Sequence, residues 1–296
     1  MQISGRHMKT ETIQTTCRLV DQSASTTSGR TRWVTMASRW LHRRSMIAQL
    51  FSSSSAMLIG LGEAQSATLS APKVIDRALA SFGGGPSDLI FPENFLGDWR
   101  VESVLVNVEL PLGEERVPNV AQVRRAQQKD LNNIIRYHVR FVRNNTGEVV
   151  MDRKFNTGSL LSKYLDLNDQ ELCDRIIWEV ESPGTTQVSL PGGLRISTNV
   201  LRRSEEYLKQ DLLETSEFIQ QLFDDPKSQE VRLKYSQTYM KYRWRQAYGP
   251  NDQKPLIVAT QVISDYLSPY DRKATDLASL GRPVTLYHYQ LSFRKV

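Results

Sequence analysis

Catalysis by a polypeptide needs histidine, cysteine, serine or carboxylate groups at workable spacing, and this chain of 296 residues offers few such groupings. Beyond residue 67 it holds two histidines, His138 and His288, and one cysteine, Cys173, with no metal-ligand spacing among them. No Gly-x-Ser-x-Gly elbow frames a nucleophile, and Cys173 has no neighbouring base. Pro191-Gly192-Gly193 lacks the following Lys-Ser/Thr of a phosphate loop and reads as a turn. No metal and no cofactor is therefore expected. For acid–base work inside a cavity Asp98, Glu102 and His288 are nominal candidates, although nothing in the sequence brings two of them together.

Two patterned stretches remain. In "LKYSQTYMKYRWRQAY" (residues 233–248) one alternating face carries Lys241, Arg243 and Arg245, and the other carries Met240, Tyr242 and Trp244. Such interleaving suits single-stranded nucleic acid, but on a strand it means aromatics inward and charges outward. In residues 135–141 Ile135, Tyr137, Val139 and Phe141 alternate with Arg136, His138 and Arg140. The second set is a candidate patch for an acidic partner and, by default, a solvated strand face.

Charge decides against nucleic acid. The formal net charge is +6, but residues 1–67 alone hold eight Lys/Arg against three Asp/Glu. The remainder is close to neutral, so the basic footprint of a nucleic-acid binder is missing from the body.

The elements that must carry these residues are mostly strands. Residues 99–110 ("WRVESVLVNVEL") are valine-rich and alternate. Residues 135–141 and 148–155 flank Asn144-Asn145-Thr146-Gly147, strong hairpin-turn chemistry. Residues 175–181 read as a strand, and 187–190 and 194–200 as a hairpin about Pro191-Gly192-Gly193. Residues 255–267 and 284–295 close the chain as two more strands, and 231–248 is long and aromatic. The apolar spacing of residues 212–223 predicts a helix, stopped by Asp224-Asp225-Pro226. Eight to ten short strands with one or two helices predict an antiparallel barrel or sandwich.

"FPENFLGDWRVESV" sharpens this, because Gly97-Asp98-Trp99 opens the first strong strand. It resembles the Gly-x-Trp opening of lipocalins and other calycins. That resemblance implies a mainly β, antiparallel barrel in which Trp99 closes one end against a late basic residue, for which Arg202, Arg203 and Arg294 are candidates. Together with "RKFNTGSLL", "NVLRRSEE" and "ETSEFIQQLF" it also resembles an uncharacterised family of plastid and cyanobacterial proteins carrying a domain of unknown function. No lipocalin-style disulfide is available.

The leading segment reads as an address. Residues 1–40 are Ser/Thr- and Arg-rich with only Glu11 and Asp21 as acids, the composition of a transit peptide, with Met36 as an alternative start. Arg43-Arg44, a short apolar stretch to Gly62, and the small residues Ala64, Ser66 and Ala67 follow in the order of a twin-arginine export signal. The apolar run is too short for a transmembrane anchor. The whole resembles the two-part leaders of chloroplast thylakoid-lumen proteins, with the stroma as the alternative. The expected organisation is a targeting leader at 1–67, a short helix and flexible linker at 68–87, and a β-barrel domain at 88–296.

The expectation is a non-enzymatic, calycin-like protein of the thylakoid lumen that binds a small apolar ligand: a pigment, quinone or lipid. Gly97, Trp99, Trp178, Tyr239, Tyr242 and Trp244 are its candidate closure and pocket residues. One alternative is an assembly factor that meets a photosynthetic membrane complex through Arg136, His138 and Arg140. Another is a barrel enzyme acting on an apolar substrate.

Overall fold

A computed structural model describes residues 86–296, apart from 166, 227–229, 250–251 and 269–280. The targeting leader, and all but the last two residues of the linker, lie outside the described residues, as does the helix expected at 71–80.

Ten antiparallel strands form one curled sheet, a half-barrel, as the alternating patterns and turn signals require. They are β1 (Gly97–Glu109), β2 (Ile134–Arg143), β3 (Val149–Met151), β4 (Ile176–Ile177), β5 (Thr185–Ser189), β6 (Arg195–Lys209), β7 (Leu212–Asp225), β8 (Glu230–Trp244), β9 (Ile257–Tyr266) and β10 (Pro283–Lys295). Their order is β3-β2-β1-β10-β9-β8-β7-β6-β5-β4, so the first long strand pairs with the last and the short strands β3 and β4 form the edges. Among the described residues three α-helices accompany them: α1 (Val120–Arg125), α2 (Arg153–Leu165) and α3 (Asp169–Cys173).

In the chain α2 and α3 connect one sheet edge to the other, and in space α2 packs against β2 and reaches β4. Below its short pairing with β3, β2 would leave backbone groups bare. Helix α2 covers them with side chains: Ser159 Oγ accepts from the His138 N–H at 2.9 Å, and Asn156 Oδ1 accepts from the Arg140 N–H at 2.7 Å. A free edge invites pairing with a second chain, and here a helix occupies it. Gly158 lets α3 approach, since a Cβ there would lie 2.9 Å from Cys173 Sγ.

Three local expectations are corrected. Residues 212–223 form strand β7, not a helix. Their apolar spacing fits both periods, and cross-strand pairing decides: Leu213, Thr215, Glu217, Ile219, Gln221 and Phe223 share the inward face, opposite Tyr242 and Met240 of β8. The strand expected at 175–181 shrinks to Ile176–Ile177 before a turn. That expected at 148–155 ends at Met151, where α2 begins after Asp152, whose Oδ1 accepts from the Phe155 N–H at 2.9 Å.

Candidate functional site: the two ends of the half-barrel

Inward parity on β1, β2, β8 and β10 places Trp99, Val101, Tyr137, Phe141, Tyr242 and Phe293 in one buried cluster. At the end where β1 starts, residues 91–95 fold over the opening. Phe91 and Phe95 meet Phe141, Tyr242 and Trp244 with ring centroids 4.9 to 5.7 Å apart. Gly97, at φ +108°, takes a backbone conformation that disfavours any residue with a Cβ, and so turns the chain into β1. Trp99 then donates Nε1–H to the Phe95 carbonyl at 2.5 Å. Its ring receives the Lys295 ammonium 5.3 Å from the centroid.

The late basic partner is thus Lys295, none of the candidates Arg202, Arg203 and Arg294, the last of which it follows by one residue. Strand parity explains the shift. Arg294 alternates to the outer face, where it bonds Glu102 at 2.7 Å. Arg203 bonds Glu217 at 2.6 Å, in the interior.

A buried ion network fastens this end. The Arg153 guanidinium reaches Asp88 at 2.6 Å and Glu217 at 2.8 Å, and Arg203 also donates to the Ser87 carbonyl. Glu205 accepts from the Ile90 N–H at 2.7 Å. Together they hold residues 87–90, which lead into the aromatic plug. Burial alone would raise the Glu217 carboxyl, but the charges and hydrogen bonds of Arg153 and Arg203 outweigh it and hold the group below the usual carboxylate range. Beside the network lies a cavity of about 120 Å³, lined by Thr186, Thr198, Thr215, Thr238 and Gln261 among others. It has room for a few water-sized groups.

The opposite end differs. Residues 111–133 cross over it, and Val117, Val123 and Ala126 pack on Leu105, Ile263 and Tyr287 in a second, smaller cluster. Between this cap and the ends of β7 to β10 lies a cavity of about 490 Å³. Val117, Val123, Leu222, Phe223, Val284 and Tyr287 supply its apolar wall. Lys234 and Asp265 pair within its wall at 2.9 Å, so the two charges cancel. Tyr266 donates its hydroxyl to Gln237 Oε1 at 2.9 Å, and burial raises its pKa to about 12, so it stays neutral. The volume falls within the roughly 300–1,000 Å³ of small-molecule sites, which favour barrel mouths.

The sequence-expected residues scatter across this architecture. Gly97, Trp99 and Trp244 belong to the closed end, and Tyr242 joins them while lining the smaller cavity. Tyr239 sits on the opposite parity, beside Val262 and Ser216. Trp178 follows β4 and lines neither cavity. As the alternation of residues 240–244 required, Met240, Tyr242 and Trp244 pack on the core, while Lys241 bonds Glu214 at 2.7 Å on the other face. The patch residues lie on the outer face of β2: Arg136 bonds Glu102 at 2.8 Å, Arg140 bonds Asp98 at 2.6 Å and stacks on Phe155, and His138 is exposed. His288 likewise meets Glu109 at 3.2 Å outside the core.

Gln122, Val123, Lys234, Asp265 and Tyr287 were not singled out from sequence. One signal was present: Lys234 shares its parity with Met240, Tyr242 and Trp244, which puts a charge on an inward face. Among the described residues no group of His, Cys, Asp or Glu is placed to hold a metal, and no helix is long and apolar enough to cross a membrane.

No curated protein and no solved structure matches the chain. Residues 83–296 match the family described as Domain of unknown function (DUF6816), and the chain belongs to that family.

Proposed function

We propose that this protein is a non-enzymatic binder of a small, mainly apolar ligand held in the cavity at the mouth of the half-barrel. The observation that carries the reading is the 490 Å³ cavity itself, apolar over much of its wall, with its buried ion pair neutral and the charge of Arg232 at the exposed rim. A ligand there would bury its body against Val123, Phe223, Val284 and Tyr287. The binding site thus moves from the aromatics of the closed end to the opposite end of the same fold. A pigment, quinone or lipid of the thylakoid lumen fits this chemistry, the location resting on the Arg43-Arg44 leader and the ligand class on the cavity wall. The outer-face alternative gains no support, since Arg136 and Arg140 are already matched by Glu102 and Asp98.

N-Phenyl-1-naphthylamine, an apolar dye that brightens when desolvated, tests the reading in a titration of the full chain. Saturable binding at one site per chain is expected. Thr285→Trp, which adds an indole from a buried wall position, is expected to weaken it at least tenfold. Absence of saturable binding by the wild type would overturn the proposal. So would a folded Thr285→Trp protein that binds the dye as the wild type does.

A further inference from the structure

Among the described residues, the cavity wall contains one buried side-chain donor with nothing to bond. Gln122, on α1, is 7% exposed and lines the 490 Å³ cavity, and its Nε2 has no hydrogen-bond partner. Its orientation is fixed by Asn119. The Gln122 backbone N–H donates to Asn119 Oδ1 at 3.2 Å, which leaves Asn119 Nδ2 to donate to Gln122 Oε1, also at 3.2 Å. An amide whose oxygen is held in this way must present its NH₂ elsewhere. Gln122 lines the cavity, so a molecule held there can reach that NH₂. A buried, unsatisfied N–H is costly, and native structures tolerate few without a function.

We infer that the ligand carries a hydrogen-bond-accepting oxygen, a ketone, quinone or ester carbonyl, which receives the Gln122 Nε2–H. This rests on the cavity-binding reading and specifies its chemistry. A carbonyl suits the site better than a carboxylate. Lys234 and Asp265 neutralise each other, and Arg232, the other cation of the wall, is exposed and lies over the Phe223 ring, so the buried part of the wall holds no uncompensated cation for an anion. The amide donor is itself uncharged. The cavity therefore matches a neutral molecule with an apolar body and one carbonyl at the α1 side. The Asn119–Gln122 pair selects it, because an apolar analogue leaves the donor unpaired.

Two dyes separate this inference from the reading beneath it. Prodan has an apolar naphthalene body with a ketone; N-phenyl-1-naphthylamine has no carbonyl. Gln122→Met keeps the length of the side chain and removes the donor; Gln122→Glu replaces it with an acceptor. Prodan is expected to bind each variant about tenfold more weakly than wild type, one hydrogen bond's worth. N-Phenyl-1-naphthylamine should bind wild type and Gln122→Met within twofold of each other. Wild-type-bound Prodan should also emit to the red of its emission in an aprotic solvent of matched polarity, as a hydrogen-bonded ketone does. This reading needs no variant. Equal Prodan affinity in wild type and Gln122→Met, or wild-type emission matching the aprotic solvent, would overturn the inference while leaving cavity binding intact. Loss of N-phenyl-1-naphthylamine binding in the wild type would instead remove the reading on which it rests.

Discussion

The two ends of the half-barrel are built from the same strands and finished in opposite ways. Where β1 begins, a plug of aromatic rings and a buried network of Arg153, Arg203, Asp88 and Glu217 fill the space. Where β1 ends, a cap of small and medium side chains bridges the opening and leaves about 490 Å³ beneath it. The difference teaches that large aromatics in this chain mark where the structure is sealed. The larger open space lies where they are few.

Changing the sealed end should cost the most. Trp99→Ala removes the indole that joins the Phe95 carbonyl to the core, and is expected to destabilise the fold by about 3–5 kcal/mol in urea unfolding. Loss below ~1 kcal/mol would mean that the plug is not what holds this end.

Next comes Glu217→Gln, which leaves two buried guanidinium groups short of a counter-charge. The expected loss is again several kcal/mol, about 3 at pH 7. Its pH dependence has a defined sign. The Glu217 pKa is lowered in the folded state, so its contribution is fully present above the ordinary value of 4.5 and disappears as pH falls through the folded value. The stability gap between wild type and Glu217→Gln should therefore narrow below about pH 4.5. A gap that holds constant down to pH 3 would show that the ionised carboxylate is not the source.

These two variants also show what the sequence made legible. Trp99 was readable because Gly-Asp-Trp at the head of an alternating strand has few structural uses. The strands and most hairpins were readable for the same reason: parity, glycine turns and β-branched residues agreed. Strand β7 was not, because its apolar residues fit a helical and a strand period together, and only pairing with β6 and β8 decides. Helix α2 was missed since much of its buried face is small and polar, Asn156, Gly158, Ser159 and Ser162, serving a strand edge and a neighbouring helix. The cavity was illegible for a different reason. It is bounded by residues from 117 to 287, and no local pattern announces a space that distant segments fail to fill.

At the mouth the expected effects reverse. Val231 is 63% exposed at the cavity rim, so Val231→Ser should change stability by no more than about 0.5 kcal/mol. The same change should nevertheless weaken N-phenyl-1-naphthylamine binding measurably in a fluorescence titration. On the proposed function, one end governs folding and the other governs occupancy. If Val231→Ser lowered stability as much as Glu217→Gln, the two ends would not be functionally separate.

The most direct test of that separation is backbone amide hydrogen exchange on the full chain, with and without saturating N-phenyl-1-naphthylamine. Ligand at the mouth predicts slower exchange in residues 117–126, 222–225, 231–234, 263–268 and 284–287, with no change in 89–101 or 239–244. Slowing confined to the sealed end, or no slowing anywhere despite saturation, would contradict it.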